Sequence, residues 1–528
     1  MFVPLTPVRF LHRAMDLFGD KVGIVCGSHQ FTYAQFGERC QRLAGALVGQ
    51  GIEPGDRVAW LSLNTHKLLE GYFGIPQARA VVMPMNVRLS PPEMVEILNH
   101  SGAKMLIFEK DFAPLVEQLR RACPAIARYV GADDATGADL TYEDLLASGT
   151  PQRADIFAID ENSIAELFYT SGSTGAPKGV SLSHRTIYLH GMSIALLMRE
   201  PERAVDLHTI PLFHANGWGH PQASTMLGVK QVMVRRFDPI QVLALIQEHR
   251  ATEMALVPTM ANALLNVPNA RDFDLSSVRD IQIGGAASSP ELMERLSRMF
   301  PNALCVAGYG LTETCPVLCF ARPKDPVADD DPQRFIRQAK TGWPVVGVEL
   351  RVVDVHGDNV PRDGKAIGEI VAMGDHVMDG YFRDEAGTKA AMSGPWLHTG
   401  DMAVWEADGW VTIVDRSKEI IISGGENISS LEIEKAIYAH PAVFECAVVA
   451  APDEKWGEVP VAIVVLKPNQ KLNGEELLRF LGERLGRFKL PRRFEFREEP
   501  LPKTGTGKIR KMVLREPFWQ GQDKRVHG

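Results

Sequence analysis

Hydroxyl-bearing residues and glycines are concentrated between Thr170 and Gly179, where the sequence reads Thr-Ser-Gly-Ser-Thr-Gly-Ala-Pro-Lys-Gly. Glycine lets backbone N–H groups approach phosphate oxygens closely, and hydroxyl groups add further donors. Lys178 adds a positive charge, and the spacing differs from a Walker A loop because no Gly-Lys-Ser/Thr sequence ends it. The segment predicts a phosphate-binding loop, whose candidate contacts are Thr170, Ser171, Gly172, Ser173, Thr174, Gly175 and Lys178.

Four more segments carry residues suited to nucleotide chemistry. They are Gly308-Tyr-Gly-Leu-Thr-Glu-Thr314, His398-Thr-Gly-Asp401, Asp415-Arg-Ser-Lys-Glu-Ile-Ile-Ile-Ser-Gly-Gly-Glu-Asn427 and Pro502-Lys-Thr-Gly-Thr-Gly-Lys-Ile-Arg-Lys511. In type, order and spacing, these segments and the loop resemble the signature motifs of the adenylate-forming superfamily, which includes acyl-CoA synthetases, peptide-synthetase adenylation domains and luciferases. The resemblance covers nearly the whole chain.

The resemblance implies a site for the adenosine part of ATP. Tyr309 has an aromatic face suited to stacking on adenine, Asp401 is expected to accept both ribose hydroxyls, and Arg416 is expected to contact the ribose or a phosphate. The full set implied to hold the nucleoside is Gly284, Gly285, Ala286, Tyr309, Gly310, Asp401 and Arg416.

The resemblance also implies a metal site and a catalytic lysine. Thr312 is expected to contact the α-phosphate, while Glu313 and Thr170 are expected to hold Mg²⁺, which prefers carboxylate and phosphate oxygens. Lys508 corresponds to the family's catalytic lysine, whose ammonium offsets charge in the in-line transition state. Thr312, Glu313, His214, Arg416 and Lys508 are therefore the predicted catalytic residues.

The implied reaction has two steps and two domain arrangements. A carboxylate attacks the α-phosphorus of ATP to give an acyl-adenylate and pyrophosphate, and a thiol then displaces AMP. By resemblance, residues 1–414 form the AMP-binding body, residues 415–418 a hinge at Lys418, and residues 419–528 a mobile C-terminal domain. Many relatives have Asp at the hinge position, so only the hinge role is carried over to Lys418.

Two features of the C-terminal unit favour coenzyme A as the thiol. Ser423, Gly424 and Gly425 are expected to line the pantetheine channel, because glycines allow close passage of a thin chain. Trp456 and Phe488 could stack on the adenine of coenzyme A, with basic residues facing its phosphates. A solvated basic face remains an equal alternative.

The segment Phe213-His-Ala-Asn-Gly-Trp218 is expected to border the acid. By resemblance to short- and medium-chain acyl-activating enzymes, His214 lies near the carboxylate and Trp218 walls the pocket, while Ala307 and Gly308 leave it room. The predicted function is an AMP-forming acyl-CoA synthetase acting on a C4–C10 fatty acid. An aryl-acid CoA ligase and a stand-alone adenylation enzyme that loads a carrier protein are the alternatives.

Buried strands and amphipathic helices alternate along the chain, which predicts a mainly parallel sheet covered by helices. Strands are expected at 57–63, 80–84, 104–108, 280–285 and 303–307, and helices from Ser90 to about His100 and from Ser289 to about Phe300. Shorter β-like runs at 349–353, 368–372 and 409–414 predict a β-rich subdomain. The predicted fold class is α/β: two α/β layered subdomains and the β-rich subdomain form the large N-terminal body, followed by a small mobile α+β domain.

The bulk composition excludes several functions. A net charge of −8 argues against nucleic-acid binding, which requires basic residues to neutralise phosphates. Seven cysteines without a CxxC pair argue against a disulfide framework or a structural zinc site. With no signal-peptide pattern and no apolar run of about 20 residues, we expect a cytoplasmic protein without an integral membrane segment, and relatives suggest a possible homodimer.

Overall fold

The computed structural model describes residues 2–171, 177–325, 331–416, 419–423, 426–503 and 509–520. Within these ranges the chain forms 16 α-helices and 27 β-strands. None of the described helices is both long enough and apolar enough to cross a bilayer. All seven cysteines are free thiols, and each of them except the partly exposed Cys26 is buried.

The helices are α1 (Val8–Phe18), α2 (Tyr33–Gly49), α3 (His66–Gln77), α4 (Pro91–Ser101), α5 (Ala113–Ala122), α6 (Tyr142–Ser148), α7 (His184–Ala195), α8 (His220–Leu227), α9 (Pro239–His249), α10 (Pro258–Leu265), α11 (Pro290–Met299), α12 (Arg334–Gln338), α13 (Glu385–Ala391), α14 (Ser430–Tyr438), α15 (Gly474–Gly482) and α16 (Lys511–Trp519).

The strands are β1 (Val22–Cys26), β2 (His29–Thr32), β3 (Arg57–Leu61), β4 (Val81–Pro84), β5 (Met105–Phe108), β6 (Arg128–Gly131), β7 (Leu140–Thr141), β8 (Ile164–Ser171), β9 (Pro177–Ser183), β10 (Val205–His208), β11 (Lys230–Met233), β12 (Glu253–Leu256), β13 (Asp280–Ile283), β14 (Leu304–Gly310), β15 (Val317–Phe320), β16 (Trp343–Pro344), β17 (Val348–Val353), β18 (Ile367–Gly374), β19 (Gly380–Tyr381), β20 (Met392–Ser393), β21 (Trp396–Trp405), β22 (Val411–Arg416), β23 (Ile421–Ser423), β24 (Glu426–Ile428), β25 (Val443–Asp453), β26 (Gly457–Leu466) and β27 (Arg493–Arg497).

Two large sheets form the N-terminal body. One has nine strands in the order β16-β15-β14-β13-β12-β10-β11-β1-β2, and its central strands from β14 to β1 are all parallel. The other has eight strands in the order β19-β9-β8-β4-β3-β5-β6-β7, with the antiparallel hairpin β8–β9 beside a parallel run. Helices pack on both sheets, which is the α/β arrangement predicted from the sequence.

Two smaller sheets follow. Strands β17, β18, β21, β20 and β22 form the predicted β-rich subdomain, in which all described pairings are antiparallel. Strands β24, β23, β26, β25 and β27 form the sheet of the C-terminal unit, with α14, α15 and α16 beside it. The predicted fold class is confirmed by this combination of a large α/β body and a small α+β unit.

Local signals explain where the elements begin and end. Helix α4 begins after Ser90, whose backbone N–H donates to Glu93 Oε2 at 2.8 Å in a capping box. It ends at Gly102, whose φ of 63° lies in the left-handed region that favours glycine. The strand predicted at 409–414 instead begins at Val411, because Gly409 has a φ of 89° and belongs to the preceding turn.

Apolar side chains on both faces of each large sheet form the core. Trp60 on β3 and Phe73 on α3 are fully buried in one cluster, and Leu256 on β12 and Leu296 on α11 are fully buried in another. Each such side chain contributes about 1.5–3 kcal/mol by leaving water. The two sheets thereby become rigid supports for the loops at the carboxyl ends of their strands.

Candidate active site

The predicted phosphate loop joins the two strands of the β8–β9 hairpin. Thr170 and Lys178 are cross-strand partners at the end of this hairpin, on either side of the loop. Gly172, Ser173, Thr174, Gly175 and the side chain of Ser171 lie outside the part of the chain that the structure describes. The hairpin thus fixes where the loop begins and ends, with the threonine hydroxyl and the lysine ammonium at its base.

Tyr381 links this hairpin to Glu313. Strand β19, which carries Tyr381, pairs with β9, and the ring of Tyr381 lies 4.5 Å from Lys178 Nζ. The hydroxyl of Tyr381 donates to Glu313 Oε1 at 2.9 Å. Burial and the Glu313 carboxylate raise the pKa of Tyr381, so this hydroxyl remains a donor at neutral pH. The predicted metal-binding carboxylate is therefore held next to the hairpin that carries the phosphate loop.

Three residues predicted to bind the nucleoside contact one another. Tyr309 at the end of β14 donates its hydroxyl to Asp401 Oδ2 at 2.7 Å, and Arg416 Nε lies 3.3 Å from Asp401 Oδ1. Asp401 on β21 and Arg416 on β22 are cross-strand partners. Asp401 is only 5% exposed, and burial with the carboxylate nearby raises the pKa of Tyr309 well above its ordinary value. The group presents an aromatic face, a carboxylate and a cation together.

The glycine-rich ends of β13 and β14 lie side by side. A Cβ atom at Gly284 would lie 3.2 Å from the carbonyl oxygen of Gly308 and 2.8 Å from Trp218 Cη2. Gly285 has a φ of 77°, and Ala286 is exposed. The strip predicted to run along adenine is thus bordered by the indole of Trp218, a residue predicted to wall the acid pocket.

Thr312 and Gly310 continue the same edge. Thr312 begins a single 3₁₀ turn, Thr312–Thr314, with one residue between it and the end of β14, and its side chain is half-buried. A Cβ at Gly310 would lie 1.6 Å from the carbonyl oxygen of Pro316, so only glycine allows β14 and β15 to approach so closely. The four residues from Tyr309 to Thr312 therefore connect the nucleoside group to Glu313.

The space beside Gly308 is occupied by the aromatic ring of Phe320. A Cβ at Gly308 would lie 2.6 Å from Phe320 Cε1, and Phe320 is 3% exposed. Phe320 and Trp218 belong to one buried cluster together with Val306 and Ala255. The role of Ala307 and Gly308 in the acid pocket stays a prediction, and Phe320 is a further residue at its predicted border.

The segment predicted to border the acid has an unusual backbone. All five residues of Ala215–Gly219 have a positive φ, between 43° and 78°. Left-handed backbone costs about 1–2 kcal/mol at a residue with a side chain, and such strain persists only where the surroundings impose it. Half-buried His214 directly precedes this left-handed turn, and Trp218, 7% exposed, lies within it.

A buried carboxyl lies beneath this turn. Glu166 on β8 is fully buried, and its oxygens accept hydrogen bonds from Asn216 Nδ2 at 3.2 Å and Gln222 Nε2 at 2.9 Å. Burial raises the pKa of Glu166 to about 8, although both hydrogen bonds act in the opposite direction. Tyr72 and Cys315 also face this group, and burial raises the pKa of each well above its ordinary value.

We expect Glu166→Gln to change how stability depends on pH. Between its ordinary pKa of 4.5 and about 8, Glu166 holds a proton in the folded protein but not in the unfolded chain. Unfolding then releases a proton, so this group lowers the free energy of unfolding as pH rises. The free energy of unfolding of Glu166→Gln, relative to that of wild type, should therefore increase by about 2–4 kcal/mol as the pH rises from 5 to 8. Urea denaturation of both proteins at these two pH values measures it.

A second buried carboxyl, Glu253, does not affect the difference between the two proteins. Burial also raises the pKa of Glu253 to about 8, and this group is present in both proteins, so its contribution cancels. The lost acceptor at position 166 adds an offset that does not vary with pH. A stability difference between variant and wild type that is the same at both pH values contradicts the raised pKa.

The residues predicted to contact coenzyme A lie on the C-terminal unit. Trp456 and Phe488 are 39% and 51% exposed, and Lys455 Nζ and Lys489 Nζ lie 4.9 Å and 5.5 Å from their respective rings. Lys489 also contacts Glu432 at 2.7 Å, which neutralises part of the predicted basic face. Ser423 ends β23 and is the cross-strand partner of Gly457 on β26, the residue that follows Trp456.

The hinge residue Lys418, the channel residues Gly424 and Gly425, and the catalytic Lys508 lie outside the described residues. The described neighbours Lys503 and Ile509 are bridge partners, so the segment that contains Lys508 starts and ends at one point of the C-terminal unit.

Four residues of the site were not predicted from the sequence: Glu166, Asn216, Phe320 and Tyr381. A signal was available for Glu166, because a single acidic residue interrupts the apolar run Ile164–Phe168 of a buried strand. Asn216 lies inside the segment that was already singled out, between His214 and Trp218. Nothing in the sequence around Tyr381 or Phe320 distinguishes them from core residues.

The fold and these groups are typical of nucleotide-binding enzymes, in which the ligand binds beyond the carboxyl ends of parallel strands. The chain belongs to the family of AMP-binding enzymes: the family's profile matches residues 11–382, and that of the AMP-binding enzyme C-terminal domain matches residues 432–508. The family predicted from the sequence is confirmed.

Individual relatives agree with this family. The chain is 39% identical over 520 residues to a long-chain-fatty-acid–CoA ligase of Thermus thermophilus, covering 96% of this chain and 95% of the relative. It is 35% identical over 522 residues to 4-hydroxybutyrate–CoA ligase 2 of Metallosphaera sedula, covering 97% and 94%. The solved structure of an anthranilate CoA ligase in complex with anthranoyl-AMP superposes with a TM-score of 0.88 at 26% identity, covering 98% of each chain. The predicted enzyme class, an acid–CoA ligase, is confirmed by these similarities.

Proposed function

We propose that this enzyme joins an aliphatic C4–C10 carboxylic acid to coenzyme A through an acyl-adenylate, with cleavage of ATP to AMP and pyrophosphate. The observation that carries the proposal is the short connection from Tyr309 to Glu313. It holds the group Tyr309–Asp401–Arg416 next to the group Glu313–Tyr381–Lys178, as one ATP molecule requires.

The donor set beside the hairpin fits Mg²⁺. Glu313 offers a carboxylate and Thr170 a hydroxyl, and both are hard oxygen ligands. Among the described residues no group of three or more His, Cys, Asp or Glu side chains could hold a metal by itself. This agrees with an ion that takes most of its ligands from phosphates and water, and when bound it neutralises charge on the phosphates.

The residues act in the order of the two steps. In the first, the phosphate loop and Lys178 bind the β- and γ-phosphates, Thr312 contacts the α-phosphate, and Lys508 stabilises the charge that develops as the acid attacks the α-phosphorus. Asp401 and Tyr309 fix the nucleoside, so that the α-phosphate stays in line with the acid. In the second, the thiol attacks the acyl carbonyl and AMP leaves.

Domain alternation about Lys418 completes the proposal, with the boundaries 1–414, 415–418 and 419–528. In this structure Asp415 accepts a hydrogen bond from the backbone N–H of Ser430, and Ser429 Oγ donates to the carbonyl of Val414. These contacts join the two sides of the hinge and would have to change on rotation. Ser423, Gly424, Gly425, Trp456 and Phe488 would then bind coenzyme A, and the cytoplasmic location and possible homodimer stay predictions.

The aliphatic preference is supported by two observations. The predicted acid pocket borders an apolar cluster that includes Trp218, Val306 and Phe320. The two relatives at 39% and 35% identity are named for a long-chain fatty acid and for 4-hydroxybutyrate, both aliphatic, whereas the anthranilate ligase is 26% identical.

A panel of acids tests the proposal. We expect C4–C10 aliphatic acids to show kcat/KM values at least roughly tenfold above those of benzoic and coumaric acids, a difference of about 1.4 kcal/mol in transition-state binding. ATP–pyrophosphate exchange measures the first step, and acyl-CoA formation measures both. A tenfold preference for aromatic acids would contradict the aliphatic pocket. Exchange without acyl-CoA when coenzyme A is the only acceptor would indicate a carrier-protein enzyme instead.

A further inference from the structure

We propose that Glu166 is a positioning residue for the acid-binding loop, which we define as residues 213–219, and that it acts through Asn216. The inference rests on the proposed function, in which this loop borders the acid. It concerns a residue that lies beneath the loop and that no sequence motif pointed to.

Asn216 is the residue that holds the loop in its left-handed form. Its side chain is fully buried, and its Oδ1 accepts the backbone N–H of Gly219 at 2.8 Å, which closes the turn across three residues. On the other side, its Nδ2 donates to Glu166 Oε2 at 3.2 Å. One amide group therefore both closes the turn and anchors it to β8.

Glu166 is anchored on both sides. Gln222 on α8, the helix that directly follows the loop, donates to Glu166 Oε1 at 2.9 Å. The carboxyl thus accepts one hydrogen bond from a side-chain amide of the loop and one from a side-chain amide of the helix, each at a different oxygen. The protonated carboxyl can accept at both oxygens, because its hydroxyl oxygen keeps a lone pair, whereas the Nε2 of a glutamine at position 166 only donates. One of the two amide groups would then face an N–H donor in the orientation that the structure shows.

The position of Glu166 on β8 links two parts of the site. The same strand continues to Thr170, where the predicted phosphate loop begins. The loop anchored by Glu166 ends in Trp218 and Gly219, and the indole of Trp218 lies against Gly284 beside the predicted adenine strip. Glu166 thereby fixes the acid-binding loop relative to the strand that carries the phosphate site.

The test compares acid binding with ATP binding in ATP–pyrophosphate exchange. For Glu166→Gln we expect the KM for butyrate or octanoate to rise by about tenfold, while the KM for ATP stays within about twofold. The double variant Glu166→Gln with Asn216→Asp reverses donor and acceptor: the glutamine amide donates to the aspartate, which still accepts the N–H of Gly219. We expect this double variant to recover acid KM to within about threefold of wild type.

Two further variants keep the test decisive if Glu166→Gln folds poorly. Asn216→Gly removes the side-chain hydrogen bonds to Glu166 and Gly219 and the weaker ones to Cys315, but glycine tolerates the φ of 43°, so we expect a folded protein with raised acid KM. Glu253→Gln is the matched control, because Glu253 is 3% exposed and its carboxyl has a similarly raised pKa in the other large sheet. We expect no change in acid KM for this control.

The outcomes separate this inference from the proposed function. If Trp218→Ala leaves selectivity over the acid panel unchanged, the loop does not border the acid and the proposed pocket is wrong. If Trp218→Ala shifts selectivity but Glu166→Gln raises both KM values equally, or the double variant gives no recovery, Glu166 has only a structural role and the inference is overturned.

Discussion

Replacing Lys508 by alanine is expected to slow acyl-adenylate formation by about 100- to 1000-fold, while thioester formation from preformed acyl-adenylate stays within about threefold of wild type. The reason is that charge builds up around the α-phosphate only in the first step, where the ammonium is proposed to act. Single-turnover assays started from acid plus ATP, or from purified acyl-adenylate plus coenzyme A, measure the two steps separately.

Lys503→Ala is the matched control for this variant. Lys503 lies five positions before Lys508, but its ammonium is engaged by Glu445, and the residue pairs with Ile509 where the segment closes. We expect Lys503→Ala to leave both steps close to wild type. If Lys508→Ala instead slows both steps by the same factor, the lysine supports the domain generally and its assigned role is wrong.

Asp401→Asn is expected to lower kcat/KM for ATP by roughly 100-fold and to leave the KM of the acid unchanged. Asp401 is buried, contacts Tyr309 and Arg416, and is proposed to accept both ribose hydroxyls. A hydrogen bond to a charged group contributes about 1.5–3 kcal/mol, so the loss of charge at two such bonds costs about 3 kcal/mol. Initial rates at varied ATP and at varied acid measure the two effects.

Deoxynucleotides supply the control for Asp401. Wild type is expected to discriminate strongly against 2′-deoxyATP and 3′-deoxyATP, because each lacks one of the two hydroxyl donors. Asp401→Asn should lose most of that discrimination, since the interaction that distinguishes the nucleotides is already weakened. Unchanged discrimination in the variant would show that Asp401 acts on Tyr309 and Arg416 without touching the ribose.

Much of this candidate site could be predicted because many of its residues lie together in short, contiguous segments of the sequence. The run Tyr309–Glu313 is contiguous, so its place at the end of one strand followed from the glycines around it. The pairing of Asp401 with Arg416 could not be predicted in the same way, because it depends on the register of β21 against β22. Register is set by packing across the whole sheet and leaves no mark in either segment.

The residues that were missed act at long range. Glu166 and Asn216 are 50 positions apart, and Tyr381 reaches Glu313 across 68 positions. The element pattern predicted the strands that carry them, but only the packed structure shows which buried polar groups meet. The lone acidic residue in β8 was a usable signal, because a buried carboxyl needs partners. Its partners could not be named from the sequence.

The paired glycines and aromatic rings of the site have a consequence for how new acid specificities can arise. The volume missing at Gly284 is filled by Trp218, and the volume missing at Gly308 is filled by Phe320. Enlarging either glycine alone forces a clash with a ring, so single-position libraries at 284 or 308 should yield few active variants. Libraries that randomise each glycine together with its ring explore compensating exchanges of volume. Among homologues, the same coupling should appear as covariation between the members of each pair.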